Sequence, residues 1–120
     1  PLELEEIPGI VQDYVNATKR AQAAGFDGVE IHAANGYLID QFLRDCSNQR
    51  TDAYGGSIEN RARFLLEVTE AVVNAWNSEH VGVRLSPTNP FNDMRDSDPV
   101  AHFTYTTEAL NQFNLAYLHI

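Results

Sequence analysis

The sequence predicts an α/β fold with a parallel β-sheet, because helical and strand patterns alternate three times along it. The order is helix, strand, helix, strand, helix, strand, which is typical of parallel strands joined by right-handed crossovers. The pattern begins on a bare helix and ends in an apolar strand. A complete (β/α)8 barrel needs about 250 residues, whereas this chain has 120. We therefore expect residues 1–120 to be one partial (β/α)8 barrel domain, near half of a larger TIM barrel.

The first helix and strand are predicted from spacing and from the residues that end each pattern. Pro8 suits the first turn of a helix, and Gly25 is a natural stop. Apolar residues recur between them at helical spacing. Residues 26–32 then have the period-two pattern of a strand. Asn35 and Gly36 predict a tight turn after it, because both residue types tolerate positive φ.

The middle of the chain predicts a short helical turn over residues 36–44 and a long polar loop over residues 45–57. A second long helix is expected over residues 58–76, where the apolar period of 3.6 resumes. The polar runs at residues 50–52 and 59–61 are expected to fix the loop against the start of that helix.

The last third of the chain predicts a second strand over residues 81–85 and a polar loop over residues 88–98. Pro99 opens a third helix that runs to about Gln112, since proline is favoured in the first helical turn. Residues 115–120 then predict a third strand.

Composition excludes some classes of partner. The formal net charge is −9, and a nucleic-acid-binding protein would present a basic face instead. No apolar run is long enough to cross a membrane, so we expect neither a nucleic-acid nor a membrane partner. Cys46 is the only cysteine, which forbids an intrachain disulfide and favours a reducing compartment, here the cytoplasm.

Three hydrogen-bonding side chains crowd the turn after the first strand, namely His32, Asn35 and Tyr37. The carboxyl ends of parallel strands are where α/β proteins bind ligands. Two donors such as His32 and Asn35 could converge on one carbonyl oxygen and stabilise negative charge that develops there. Tyr37 could supply a proton, because a phenol is protonated at neutral pH.

The strand pattern also places two charged side chains inside the predicted barrel. If Val29 and Ile31 pack on helices, Glu30 and His32 point inward, and Arg84 does so from the next strand. A buried charge is costly unless it is paired or used by a ligand. Glu30 and Arg84 could form a structural salt bridge, or Arg84 could offer its charge to a bound anion, and both could hold at once.

Four stretches of the sequence resemble the old yellow enzyme family, and the resemblance extends over nearly the whole chain. They are GFDGVEIH at residues 25–32, ANGYLIDQFL at 34–43, NQRTDAYGGSIENRARF at 48–64 and VRLSP at 83–87. The resemblance implies a flavin-dependent ene-reductase, with this chain supplying strands four to six of its (β/α)8 barrel and their helices.

The resemblance also implies roles for individual residues. His32 and Asn35 match the pair that binds the carbonyl oxygen of an enone or enal, and Tyr37 matches the proton donor. Arg84 matches an arginine beside FMN, and Phe91 looks like an aromatic residue of the substrate pocket. NADPH would reduce FMN, and the C=C bond of the α,β-unsaturated carbonyl compound would then be reduced. We expect this activity of the full-length protein rather than of the isolated chain.

Two other hypotheses stay open from the sequence. Glu30 and His32, two residues apart on one strand face, could belong to the metal site of a barrel lyase or hydrolase. Alternatively, the chain could be a non-catalytic half-barrel fragment that self-associates through its open barrel edges.

Overall fold

The fold of the chain is described by a computed structural model that covers all 120 residues. The α/β class and the order of elements are confirmed. The main elements are α1 (Ile7–Ala23), β1 (Val29–Ala33), α2 (Leu38–Leu43), α3 (Ile58–Ala75), β2 (Val81–Leu85), α4 (Pro99–Leu110) and β3 (Tyr117–His119). Single 3-10 turns occur at Leu4–Glu6, Ser78–His80, Phe91–Asp93 and Asn111–Phe113. None of the helices combines the length and apolarity needed to cross a bilayer.

The three strands form one parallel sheet in the order β1-β2-β3. Val29 lies opposite Val81 at the start of the sheet, and Ala33 lies opposite Leu85 at its end. The carboxyl ends of β1 and β2 are therefore level, so the loops that follow them meet at the same edge.

One face of the sheet is covered by helices and the other is not. Ile31 and Ala33 in β1 and Val83 and Leu85 in β2 are buried in the core together with residues of all four helices. The helix α3 contacts α1, α2, α4 and β2, which makes it the centre of the helical layer. It begins at Ser57, whose side chain accepts a hydrogen bond from the backbone of Asn60.

The uncovered face carries Glu30, His32 and Arg84, as the period-two pattern predicts. Gly82 lies on this face beneath the ring of Tyr117, and a Cβ at position 82 would collide with that ring. Burial and a hydrogen bond to Glu30 raise the pKa of Tyr117. The polar groups of this face therefore already interact across the strands.

Two strand boundaries differ from the expectation. The first strand begins at Val29 and not at residue 26, because Phe26 is 65% exposed and follows the left-handed Gly25. The third strand spans only Tyr117–His119 and not residues 115–120, because only these three residues pair with β2. The polar loop after β2 also contains a short turn, Phe91–Asp93.

Candidate active site

The turn after β1 brings an imidazole and a phenol side by side. His32 lies in β1, and Tyr37 immediately precedes α2. Their ring centroids are 5.3 Å apart and the ring planes are tilted by 53°. Asn35 and Gly36 between them have φ values of 57° and 76°, so the predicted tight turn is confirmed. Tyr37 is 53% exposed and can be reached from outside the chain.

Asn35 is held by three hydrogen bonds to the loop that follows β2. Its backbone N–H donates to Ser86 Oγ over 2.8 Å, and its backbone oxygen accepts from Asn92 Nδ2 over 2.7 Å. Its side-chain oxygen accepts from Asn89 Nδ2 over 3.1 Å. The side-chain NH₂ of Asn35 has no acceptor within the chain, so it remains available to a ligand.

Gly36 lets this loop approach the turn closely. A Cβ at Gly36 would lie 2.6 Å from Cβ of Asn92, which is closer than two carbon atoms can pack. The backbone N–H of Gly36 donates to Asp40 Oδ2 over 2.9 Å, and its oxygen accepts from Gln41 Nε2 over 2.7 Å. The turn is thus fixed from the loop on one side and from α2 on the other.

A buried ion pair in α2 connects the ends of the two strands. Asp40 and Arg44 are almost completely buried, and Arg44 Nε lies 3.0 Å from Asp40 Oδ1. Arg44 also donates to the backbone oxygens of Ser86 and Pro87, just after β2. Its guanidinium lies 4.7 Å from the ring centroid of Phe103. The sequence interpretation missed this pair, although an acid and a base four residues apart in an apolar segment were a visible signal.

The far end of the loop after β2 is anchored by a second buried polar cluster. The side chains of Asp96 and His102 are fully buried and meet at 2.5 Å, and Arg61 lies 3.9 Å from Asp96. Burial lowers the pKa of His102, although the hydrogen bond to Asp96 opposes this shift. The loop is therefore tied to both α3 and α4.

Arg84 faces the same side of the sheet as His32, but of the two alternatives considered for it the salt bridge with Glu30 does not form. The register places Arg84 opposite His32 and places Gly82 opposite Glu30, so the two charges occupy different rows of the sheet. Glu30 instead pairs with His119, with 3.1 Å between Oε2 and Nδ1. Arg84 is half-buried and has no carboxylate partner in the chain.

Phe91 lies in the 3-10 turn Phe91–Asp93 and is 55% exposed. Its backbone N–H donates to Asn89 Oδ1 over 3.0 Å, and Asn89 in turn contacts Asn35. The aromatic residue is therefore coupled to the turn after β1 through one side chain. Its role in a substrate pocket stays a prediction.

The structure brings no further metal ligand to Glu30 and His32, the two residues of the metal-site hypothesis. No group of three or more His, Cys, Asp or Glu side chains lies close enough together to hold a metal ion. Glu30 is engaged with His119 rather than with His32.

The whole chain matches one protein-family model. The model describes the NADH:flavin oxidoreductase / NADH oxidase family and matches residues 1–120. A probable flavin mononucleotide-dependent alkene reductase of Leishmania infantum is 58% identical over 97% of this chain and 32% of its own length. The 12-oxophytodienoate reductase 2 of Arabidopsis thaliana is 50% identical over 99% of this chain and 32% of its own length.

Solved structures agree with these sequence matches. The old yellow enzyme homologue of Zymomonas mobilis superposes with a TM-score of 0.96 at 48% identity, over 98% of this chain and 33% of that one. Morphinone reductase in complex with tetrahydroNAD gives a TM-score of 0.95 at 53% identity, over 98% of this chain and 32% of that one. The resemblance to old yellow enzymes is confirmed, and the chain spans about a third of the length of these relatives.

Replacing Arg44 with methionine should destabilise the full-length protein by about 3–5 kcal/mol, because Asp40 would stay buried without its partner. Urea unfolding followed by circular dichroism measures the change. The matched control is Arg95→Met, since Arg95 and its partner Asp93 are both largely exposed. We expect the control to change stability by less than about 1 kcal/mol. Equal losses in the two variants would contradict the structural role of the buried pair.

Proposed function

The chain belongs to the NADH:flavin oxidoreductase / NADH oxidase family, and on that premise we propose that the full-length protein is an FMN-dependent ene-reductase. Its substrate would be an α,β-unsaturated ketone or aldehyde, in line with the names of the alkene and 12-oxophytodienoate reductases it resembles. The observation that carries the proposal is the turn after β1. There His32 and Tyr37 are adjacent, and the NH₂ of Asn35 has no acceptor within the chain.

His32 and Asn35 would bind the carbonyl oxygen of the substrate. When hydride reaches the β-carbon of an enone, negative charge moves to that oxygen, and two fixed donors stabilise it. Asn35 suits this task because both its backbone and its side-chain oxygen are already held by the loop after β2. Donors that are fixed before the reaction need no reorganisation as the charge develops.

Tyr37 would give its hydroxyl proton to the α-carbon. The ring of His32 lies against it, so a substrate oxygen held by His32 places the rest of the enone near the phenol. The acid and the oxygen-binding groups come from the same short segment, and their relative positions depend on a single turn. General acid catalysis by a positioned side chain contributes about 10²–10⁴-fold.

Arg84 fits the role of the arginine beside FMN. It is a half-buried cation on the face that also carries His32, and it has no carboxylate partner in the chain. A half-buried cation without a carboxylate partner is stabilised when an anionic group binds beside it. When bound, FMN would supply the hydride for the β-carbon after its own reduction by a nicotinamide cofactor. Phe91, exposed on the adjoining loop, would contact the substrate.

Three finer features complete the proposal. We place β1, β2 and β3 at strands four, five and six of a (β/α)8 barrel, on the motifs that resemble the family. We propose NADPH as the reductant. The cytoplasm is the proposed location, on the ground that Cys46 is a free thiol.

Reduction of an enone tests the main proposal. We expect the purified full-length protein to show the visible absorption of a flavin and to oxidise NADPH when cyclohexenone is added. Chromatography of the product should give cyclohexanone. A protein that neither contains nor takes up FMN would rule out this function.

Replacing Tyr37 with phenylalanine should slow cyclohexenone reduction about 100-fold or more, since the acid is removed. Flavin reduction by NADPH should change little, because it needs no proton from the phenol. Stopped-flow absorbance at the flavin maximum measures the two steps separately. Tyr105→Phe, on α4, is the matched control and should leave both rates unchanged. Equal slowing of both steps in Tyr37→Phe would remove Tyr37 from the acid role.

We also propose that the isolated 120-residue chain is inactive and self-associates. The strands β1 and β3 each pair only with β2, so each leaves one edge unpaired. Light scattering should give a mass above the 13.4 kDa of one chain. Leu118→Lys in β3 should reduce association, whereas Leu4→Lys, away from the sheet, should not. A monomeric parent chain would contradict this proposal.

A further inference from the structure

A chain of hydrogen bonds determines which end of the Asn35 carboxamide faces outward. The backbone N–H of Phe91 can only donate, so the atom of Asn89 that it meets at 3.0 Å must be the side-chain oxygen. The NH₂ of Asn89 then occupies the other branch of its carboxamide. That NH₂ lies 3.1 Å from the side chain of Asn35, which must present its own oxygen. The NH₂ of Asn35 then occupies the other branch of its carboxamide and makes no hydrogen bond within the chain.

Shape alone could not impose this orientation. The oxygen and the NH₂ of a carboxamide are nearly equal in size, so a half-turn about the last side-chain bond costs little in packing. The chemical result of such a rotation is large. A rotated Asn35 would direct its oxygen toward the substrate carbonyl, and two acceptors would then face each other. Only its hydrogen-bond partner distinguishes the two orientations.

We propose that Asn89 is a positioning residue that fixes the polarity of Asn35, so that the NH₂ of Asn35 faces the carbonyl oxygen of the substrate. This inference rests on the proposed function and adds a determinant of carbonyl binding outside the turn after β1. Asn89 itself touches no substrate in this scheme. It accepts a hydrogen bond from the backbone N–H of Phe91, and this bond determines that its NH₂ faces Asn35.

The loop does not need Asn89 to keep its place. Ser86 and Asn92 hold the backbone of Asn35 from the same loop. The buried cluster of Asp96 and His102 anchors the end of the loop next to α4. Removal of the Asn89 side chain therefore frees the orientation of the Asn35 carboxamide without releasing the turn. If Asn89 only held the loop, its substitutions would all act through the position of the turn. If it fixes the orientation of the Asn35 carboxamide, the effect of a substitution depends on which groups the new side chain presents to Asn35.

The decisive comparison is Asn89→Asp against Asn89→Ala in the flavin-loaded full-length protein. Aspartate has the same shape and can still accept from Phe91, but it presents a second oxygen to Asn35. Asn35 would then rotate and donate to the carboxylate, and one of the two carbonyl donors would be lost. We expect kcat/KM for cyclohexenone to fall about 100-fold in Asn89→Asp, the usual loss for one such donor. In Asn89→Ala either orientation is allowed, so only part of the molecules would present the NH₂, and we expect a loss of about two- to fivefold.

Equilibrium binding gives a second readout that does not depend on turnover. Cyclohexanone has the carbonyl group but no C=C bond, and calorimetry measures its affinity for each variant. The affinity should decrease more in Asn89→Asp than in Asn89→Ala. Asn74→Asp introduces the same charge at an exposed position of α3 and should leave both activity and affinity unchanged.

A double-mutant cycle links the effect to Asn35. In an Asn35→Ala background no carboxamide remains to rotate, so Asn89→Asp should cause no further loss. The inference is overturned if Asn89→Asp and Asn89→Ala behave alike, or if Asn89→Asp still weakens cyclohexanone binding in that background. A wild-type protein that binds cyclohexanone but does not reduce cyclohexenone would instead refute the proposed function, and the binding comparison would still decide the role of Asn89.

Discussion

The buried ion pair between Asp40 and Arg44 is the interaction on which the geometry of the candidate site depends. Two charges without access to water are costly unless their remaining hydrogen-bonding groups are satisfied. Here Asp40 accepts from the backbone of Gly36, and Arg44 donates to the carbonyls of Ser86 and Pro87. The partners that offset the burial are thus the backbone groups at the ends of β1 and β2. The hydrogen bonds that stabilise the buried pair are therefore the same ones that hold the two loops in place.

The site is assembled from two loops, and side chains of the loop after β2 bind main-chain atoms of the turn after β1. The turn after β1 contributes His32, Asn35 and Tyr37, and the loop after β2 is fastened to the backbone nitrogen and oxygen of Asn35. Contacts to backbone atoms do not depend on which side chain the residue carries. Apart from the bond between the side chains of Asn89 and Asn35, this framework is therefore separate from the side-chain groups to which we assign the proposed chemistry.

Local patterns in the sequence were sufficient to predict the elements, the parallel sheet and the Asn35-Gly36 turn. The polar runs were also interpreted correctly as structural, since Arg50 binds Asp52 within the long loop and Asn60 of α3 donates to the backbone oxygen of Gly55. Alternation could not decide whether Glu30 and Arg84 form a salt bridge, because it gives the face of a side chain but not its row across the sheet. Row depends on strand register, which is set by contacts between distant parts of the chain. The contacts of Arg44 with Ser86 and Pro87 also join distant parts of the chain, whereas its pair with Asp40 is local and was overlooked.

The left-handed backbone of Asn35, with φ of 57°, restricts what evolution or engineering could place there. Apart from glycine, asparagine, aspartate and histidine are the residues that most readily adopt this conformation. Glycine has no side chain, and an ionised aspartate can only accept hydrogen bonds. Asparagine and histidine are the members of this set that can also donate to a carbonyl oxygen. If Asn35 has the proposed carbonyl-binding role, its backbone conformation alone restricts that position to two amino acids.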